Sequence, residues 1–287
     1  MIEYIGWSCD YKKSSGEGQL ARKFIKLKFK YKKIKVLAPK SNFFLSDYFY
    51  QIYGILILWY YYLNGKKVIY INYLPLWNLL IFLFSPPKTI FGPITGSIQI
   101  NKPKNFKSLI RLLILPTIYK ISLSVLNYRK KEIIFSTNIL FNLISKNIKK
   151  KSKFNFVLDN FKLLRLKNKK KIDLIVYYNK HENKFFNHHF DLIKSKILKG
   201  KKVLIIGDKL IINGALNKGR VRKSNLVKYI SQSKYTLSGD DNLLSFFNIE
   251  CLQNNVKIIC NYKLSFQIIN KFKKSYILYD YENKRYK

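Results

Sequence analysis

Apolar residues fall along the chain in short blocks that alternate with longer stretches of helical spacing, the pattern of strands interleaved with helices. Residues 2–7 form the first block and stop at Ser8-Cys9-Asp10; after a polar loop, Gly16-Glu17-Gly18 opens a helix carrying Leu20, Ala21, Phe24 and Leu27. Strand, Gly-containing loop and helix make the opening unit of a Rossmann-like half. Further strands are expected at 34–38, 68–72, 88–91, 133–136 and 154–158. Helices are expected at 46–63, 76–84, 109–126 with a break at Pro116, and 139–148.

A basic run at 161–171, containing Lys167, Asn168, Lys169, Lys170 and Lys171, reads as a linker. The alternation then restarts with a strand at 172–178, a helix at 185–198 and a strand at 203–206 that ends in Gly207-Asp208. The densest stretch is 218–260. There Ser224 and Asn225 are the expected caps of a helix bearing Leu226, Val227 and Ile230. A strand at 235–238 delivers Gly239-Asp240-Asp241-Asn242, and the next helix places Leu243, Leu244, Phe247, Cys251 and Leu252 on one broad apolar face. The pattern predicts an α/β chain of two Rossmann-like domains, an amino-terminal domain at 1–165 and a carboxy-terminal domain at 166–287, with ligands held at the carboxyl ends of the strands.

Composition changes this picture little. Nearly half of the 287 residues are apolar, which excludes a disordered chain. The formal charge of +40 would by itself point to nucleic acid or an anionic surface. All but seven of the 55 cations are lysine, however, and Ile, Asn, Tyr and Phe are swollen as well, as strongly AT-biased coding produces. The cations are also spread along the whole chain rather than gathered into one arm. Cys9, Cys251 and Cys260 lack metal-ligand spacing and read as reduced core thiols of a cytosolic protein. No secretory signal is expected, because Glu3 and Asp10 interrupt the place of its apolar region. The uncharged window at 48–65 is long enough to span a bilayer if tilted, but its tyrosines, Gln51 and Gly54 favour a helix lying on the sheet or dipping into the membrane interface.

Glu250 stands seven intervening residues after Asn242, inside an otherwise apolar helix. This pattern resembles the nucleotide-sugar-binding region of glycosyltransferases of the GT-B architecture, bacterial nucleotide-sugar-dependent enzymes with a family-4-like carboxy-terminal domain. The resemblance implies a pair of glutamates framing the donor, with Glu250 matching the second, which bonds the ribose hydroxyls. The first is absent, and Asn242 beside Asp241 takes its place, so neither the sugar nor the stereochemical outcome follows. By position, Lys180 and Lys184 match the basic loop that holds the donor diphosphate, and Arg220 leads from the third strand into the next helix. Arginine is scarce in this chain, and its planar fork suits phosphate. The same resemblance implies that the two domains face a cleft and that the first loop, with Gly16 and Gly18, faces it and touches acceptor or transferred sugar; should the reaction invert, Asp10 or Glu17 would be the base.

Thr95, Gly96 and Ser97 offer backbone N–H groups and hydroxyls at a strand end, a candidate acceptor site. His181, His188 and His189 lack a zinc-type partner set and are expected at the surface. Asp280-Tyr281-Glu282 is expected in a polar tail, and Asp240-Asp241 lacks the spacing of a cation pair, so no metal and no cofactor beyond the nucleotide sugar is expected. The expected partners are a nucleotide-sugar donor, a glycan or lipid-linked acceptor and an anionic membrane surface, at the inner face of the plasma membrane. The competing reading is a basic, non-catalytic protein binding nucleic acid or anionic lipid, its tyrosines stacking on bases. The aromatics lie mostly within apolar runs, where core packing accounts for them better, so no nucleic-acid partner is expected.

Overall fold

Blocks rich in Ile, Val, Leu and aromatic residues form strands wherever both of their faces can be covered, and the second half of the chain satisfies that condition more fully than the first. The computed structural model describes residues 3–13, 15–30, 32–39, 47–71, 74–96, 106–164, 169–180, 184–185 and 187–287. The chain divides into two compact units, Met1–Val157 and Leu158–Lys287.

In the first unit the strands are β1 (Tyr4–Trp7), β2 (Ile34–Leu37), β3 (Lys67–Tyr70), β4 (Leu74–Pro75), β5 (Ile90–Phe91), β6 (Ile94–Thr95), β7 (Ile133–Ile134) and β8 (Ser152–Lys153). A parallel sheet runs in the order β2-β1-β3-β5, and β4 pairs with β6 and β7 with β8. The helices are α1 (Gly16–Lys28), α2 (Asp47–Leu63), α3 (Leu79–Phe84), α4 (Phe106–Arg129) and α5 (Lys146–Lys150). Gly54 sets how closely α2 approaches the sheet, because a Cβ there would lie 2.1 Å from the indole nitrogen of buried Trp7. Gln51 is likewise a contact: its carbonyl oxygen accepts from Tyr70 Oη at 3.0 Å, and its side-chain oxygen accepts from the Asn78 amide. Only one flank of α2 is buried. Phe49, Ile52, Tyr53, Leu56, Tyr60 and Leu63 are exposed, and among the described residues no helix is long and apolar enough to cross a membrane.

Three expectations for this unit need correction. The helix at Pro116 does not break; α4 continues to Arg129, because the turns on either side outweigh the one backbone bond that proline removes. The helix expected at 139–148 is replaced by a 3-10 turn at Phe141–Leu143 and the short α5. The strand expected at 154–158 gives way to β8 and a 3-10 turn at Phe156–Leu158, since Asn155 adopts a φ of 60° that ends the extended run.

The second unit holds β9 (Ile172–Tyr178), β10 (Val203–Gly207), β11 (Leu216–Asn217), β12 (Ser233–Leu237), β13 (Lys257–Asn261), β14 (Tyr276–Asp280) and β15 (Arg285–Tyr286). Their order is β11-β10-β9-β12-β13-β14-β15, parallel except for β15. Strands are added outward from β9 first on one side and then on the other, so the order reverses between β9 and β12. A crevice at such a reversal is where open α/β sheets take ligands. Helix α6 (Asn187–Leu198) covers one face, with Leu192 and Ile193 against Leu174, Val176, Val203 and Ile205. Helices α7 (Lys223–Ser231) and α8 (Phe246–Gln253) cover the other, with Ile230 and Cys251 against Ile175, Leu204 and Ile206. The class is therefore α/β, with two Rossmann-like units built on parallel sheets.

Here too the sequence misplaces details. The cap position of α7 is Arg222, which makes no side-chain capping bond, and Ser224 and Asn225 lie inside the first turn. Helix α8 starts at Phe246, where Ser245 accepts from the Asn248 amide at 3.2 Å; Leu243 and Leu244 belong to the preceding loop and are buried. Residues 276–280 form a strand paired with β13, so Asp280 and Tyr281 are buried rather than part of a polar tail. Asp280 shapes the turn into β15 by accepting from the backbone of Glu282 and the amide of Asn283. All three cysteines are buried and none forms a disulfide.

Candidate donor site at the carboxyl ends of the second sheet

On the face covered by α7 and α8, a run of candidate side chains begins at the end of β9. The exposed ring of Tyr177 stacks on Phe247 with centroids 5.2 Å apart and planes 29° from parallel. Phe247 and Glu250 are three apart in α8, so they lie side by side on one flank. The Glu250 side chain is only 17% exposed, and Lys223, the first residue of α7, stands 3.6 Å from its carboxylate. Burial pushes the Glu250 carboxyl above its ordinary value of 4.5, and Lys223 partly opposes the shift.

Asp208 organises the neighbouring strand ends. Gly207 has a φ of 105°, and a Cβ there would meet the Tyr178 carbonyl oxygen at 2.1 Å, so only glycine lets β10 turn here. The Asp208 carboxylate accepts from the Lys180 backbone at 2.9 Å and from Arg220 Nη2 at 2.8 Å and Nε at 3.1 Å. These bonds, first from the Lys180 N–H and then from the guanidinium, hold the Asp208 carboxyl below the usual carboxylate range. Arg220 is thus aimed by Asp208 while its side chain stays 85% exposed. The sequence singles out Arg220 and Glu250 as candidates but not Asp208 and Tyr177, which the fold places beside them. The glycine before Asp208 was the available signal for the first; one tyrosine among 22 gave none for the second.

The loop after β12 is shaped by its own side chains. Asp241 accepts from the Asn242 amide at 2.8 Å, and the Asn242 side chain accepts from the Leu244 amide at 2.8 Å. Lys184 lies 3.8 Å from the Asp241 carboxylate. Asp241 and Asn242 therefore build the turn, and the Asn242 side chain is already engaged with backbone. The Lys180 side chain is exposed. On the α6 face, the histidines depart from expectation. His189 is fully buried and His188 partly so, and both imidazoles face buried Asp240 while packing against Tyr281. His181 lies outside the described residues.

In the first unit, Asp10 and Glu17 share the corner between β1 and α1. Asp10 pairs with Lys13 at 3.1 Å, and Glu17 is exposed in the first turn of α1, which Ser15 caps by accepting from Gly18 at 3.2 Å. A Cβ on Gly18 would lie 2.4 Å or less from the carbonyl oxygens of Asp10 and Lys13, so this glycine allows the loop to fold onto the helix; Gly16 is partly buried beside it. Thr95 ends β6, and Gly96 packs so closely on Leu140 that a Cβ would come within 2.4 Å. Ser97 lies outside the described residues.

No protein-family model and no curated protein matches the chain. Similar solved structures include the pneumococcal O-GlcNAc transferase GtfA in complex with UDP and GlcNAc, at 14% identity and a TM-score of 0.46, over 72% of this chain and 44% of that one. This chain thus spans less than half the length of GtfA. Anabaena Alr3699/HepE in complex with UDP is similar at 9% identity and a TM-score of 0.49, over 91% of this chain and 80% of that one. UDP-GlcNAc 2-epimerase from Methanocaldococcus jannaschii is similar at 9% identity and a TM-score of 0.48, over 100% of this chain and 95% of that one.

Proposed function

We propose that this protein is a glycosyltransferase that moves a sugar, a hexose in the first instance, from a nucleotide-sugar donor to a glycan or lipid-linked acceptor in bacterial surface polysaccharide synthesis. The observation that carries the reading is the sequence of groups at the strand-order reversal: the Tyr177–Phe247 stack, the mostly buried Glu250 one turn on, and Arg220 aimed by Asp208. The stack offers an aromatic face to a base, and a buried carboxylate has an acceptor oxygen for each of two ribose hydroxyls, where an amide has only one. Arg220, with Lys180 and Lys184, brings positive charge to the diphosphate. Stabilising that leaving group is the main electrostatic task of the transfer, and these side chains take the place of a divalent ion. Asp10 or Glu17 would serve as base in an inverting reaction.

Association with the inner face of the plasma membrane belongs to the same reading. The outer flank of α2 and the exposed Leu80, Leu83 and Phe84 of α3 border an apolar groove of about 480 Å³ that also takes in Ile52 and Trp59. Exposed apolar surface on a strongly cationic chain suits an anionic bilayer. The nucleic-acid alternative is less well supported, because aromatic pairs such as Phe24–Phe156 and Phe135–Phe154 sit in cores rather than on an open face. The test is release of nucleoside diphosphate from a panel of nucleotide sugars, with and without membrane extract as acceptor. Turnover of at least one donor is expected, and inertness toward the whole panel would overturn the assignment.

A further inference from the structure

His188 and His189 open α6, and Asp240 follows β12 by three residues, so two elements bring three metal-ligating side chains together. Among the described residues no other group of His, Cys, Asp and Glu converges in this way. His188 Nε2 lies 3.0 Å from one Asp240 oxygen and His189 Nε2 lies 3.5 Å from the other, and the three ligand atoms are all within 4.8 Å of one another. Ligands bound to a tetrahedral zinc at about 2.0–2.1 Å stand roughly 3.3–3.4 Å apart, so small side-chain rotations suffice to close this triad on one ion. We propose that His188, His189 and Asp240 bind a single zinc-class cation, with water as the fourth ligand.

The donor set is two imidazole nitrogens and one carboxylate oxygen, the borderline-soft mixture that zinc and cobalt take and that magnesium and calcium do not. His189 and Asp240 are shut away from solvent, whereas the His188 side chain is 27% exposed, and its side is both the entry path and the place of the water. Coordination through Nε2 requires each imidazole to carry its proton on Nδ1, so the hydrogen bonds that the carboxylate now makes would be exchanged for metal bonds. The ring of Tyr281 packs against both imidazoles, at 4.2 and 5.0 Å between centroids, and restrains their rotation. The Asp240 amide donates to the Lys184 carbonyl oxygen at 3.0 Å, so an ion here would tie α6 to both loops at the strand reversal. Its place is the α6 face of the sheet, opposite the face of Glu250, and its role is to stiffen this framework rather than to hold the donor diphosphate.

The test uses the untagged full chain, stripped of metal and titrated with cobalt and then zinc. One equivalent of cobalt should give the intense visible bands of a tetrahedral site, zinc should displace it, and zinc should raise the melting temperature. His188→Ala and, as a milder change at the buried position, His189→Gln should each weaken binding by roughly tenfold or more while circular dichroism stays that of the parent. The chelated protein should still turn over donor at room temperature while melting lower, which separates this site from the proposed reaction. Absence of tetrahedral cobalt bands, or binding unchanged in both folded variants, would overturn the proposal and leave the triad a buried carboxylate–imidazole network.

Discussion

In the proposed donor site, Glu250 is the residue whose chemistry bears most directly on binding. A buried carboxylate that accepts two ribose hydroxyls should lose about 1.5–3 kcal/mol of nucleotide affinity when replaced by an amide, the worth of a charged hydrogen bond. Glu250→Gln, measured by calorimetry on a folded variant, should show that loss, and unchanged affinity would remove Glu250 from the site. Because burial raises its folded-state pKa, the ionised form that binds is lost on acidification at a higher pH than 4.5, so affinity should fall earlier than for an ordinary glutamate and the fall should vanish in Glu250→Gln. Arg220→Ala should reduce turnover strongly, whereas omission of magnesium and manganese should not. Lys130 gives a second titration: burial, with Arg129 adding, lowers its ammonium to about 8 from 10.5. The folded state therefore binds fewer protons than the unfolded one between these values, and the cost of burying the charge is fully present below about 8. The parent should therefore gain stability as pH climbs from 8 towards 10.5, and Lys130→Met, which also removes the bond from Nζ to the Thr89 carbonyl and the contact with the Phe91 ring, should abolish that rise in the melting temperature.

Among elements, the strands of the second unit were legible because blocks such as Ile172–Tyr178 and Val203–Gly207 are buried on both faces, so apolar character is continuous and the ends are marked by polar residues or glycine. The first unit was harder. Two-residue strands such as Ile133–Ile134 carry no periodicity, and the left-handed Asn155 has no neighbouring Gly or Pro to announce it. Gly54 looked like an interruption of α2, although it is the point where the helix touches the sheet. Gly54→Ala would force a methyl group into the rigid indole of Trp7 and should destabilise the unit by about 1–3 kcal/mol, read as a lowered denaturation midpoint with α2 still helical. For the site, the resemblance pointed to Glu250 and Arg220 as candidates, but the pairing with Asp208 that aims Arg220 and the burial of His189 depend on which strand ends become neighbours, and local sequence does not encode that.

For the whole molecule, the charge of +40 and the apolar flank of α2 would make two separable contributions to the proposed membrane association. The first is screened by salt and the second is not. Washing membranes with high salt and then alkaline carbonate should release the protein, and retention after both would mean that α2 inserts. The central claim, a nucleotide-sugar donor at the strand reversal of the second unit, is tested most directly by a binding panel. Saturation-transfer or thermal-shift measurements should be run against nucleoside diphosphates, nucleotide sugars and a short oligonucleotide. At least one nucleotide sugar should bind, its base and ribose protons saturating most strongly, with the signal weakened in Glu250→Gln. Binding of the oligonucleotide with no response to any nucleotide sugar would contradict the account.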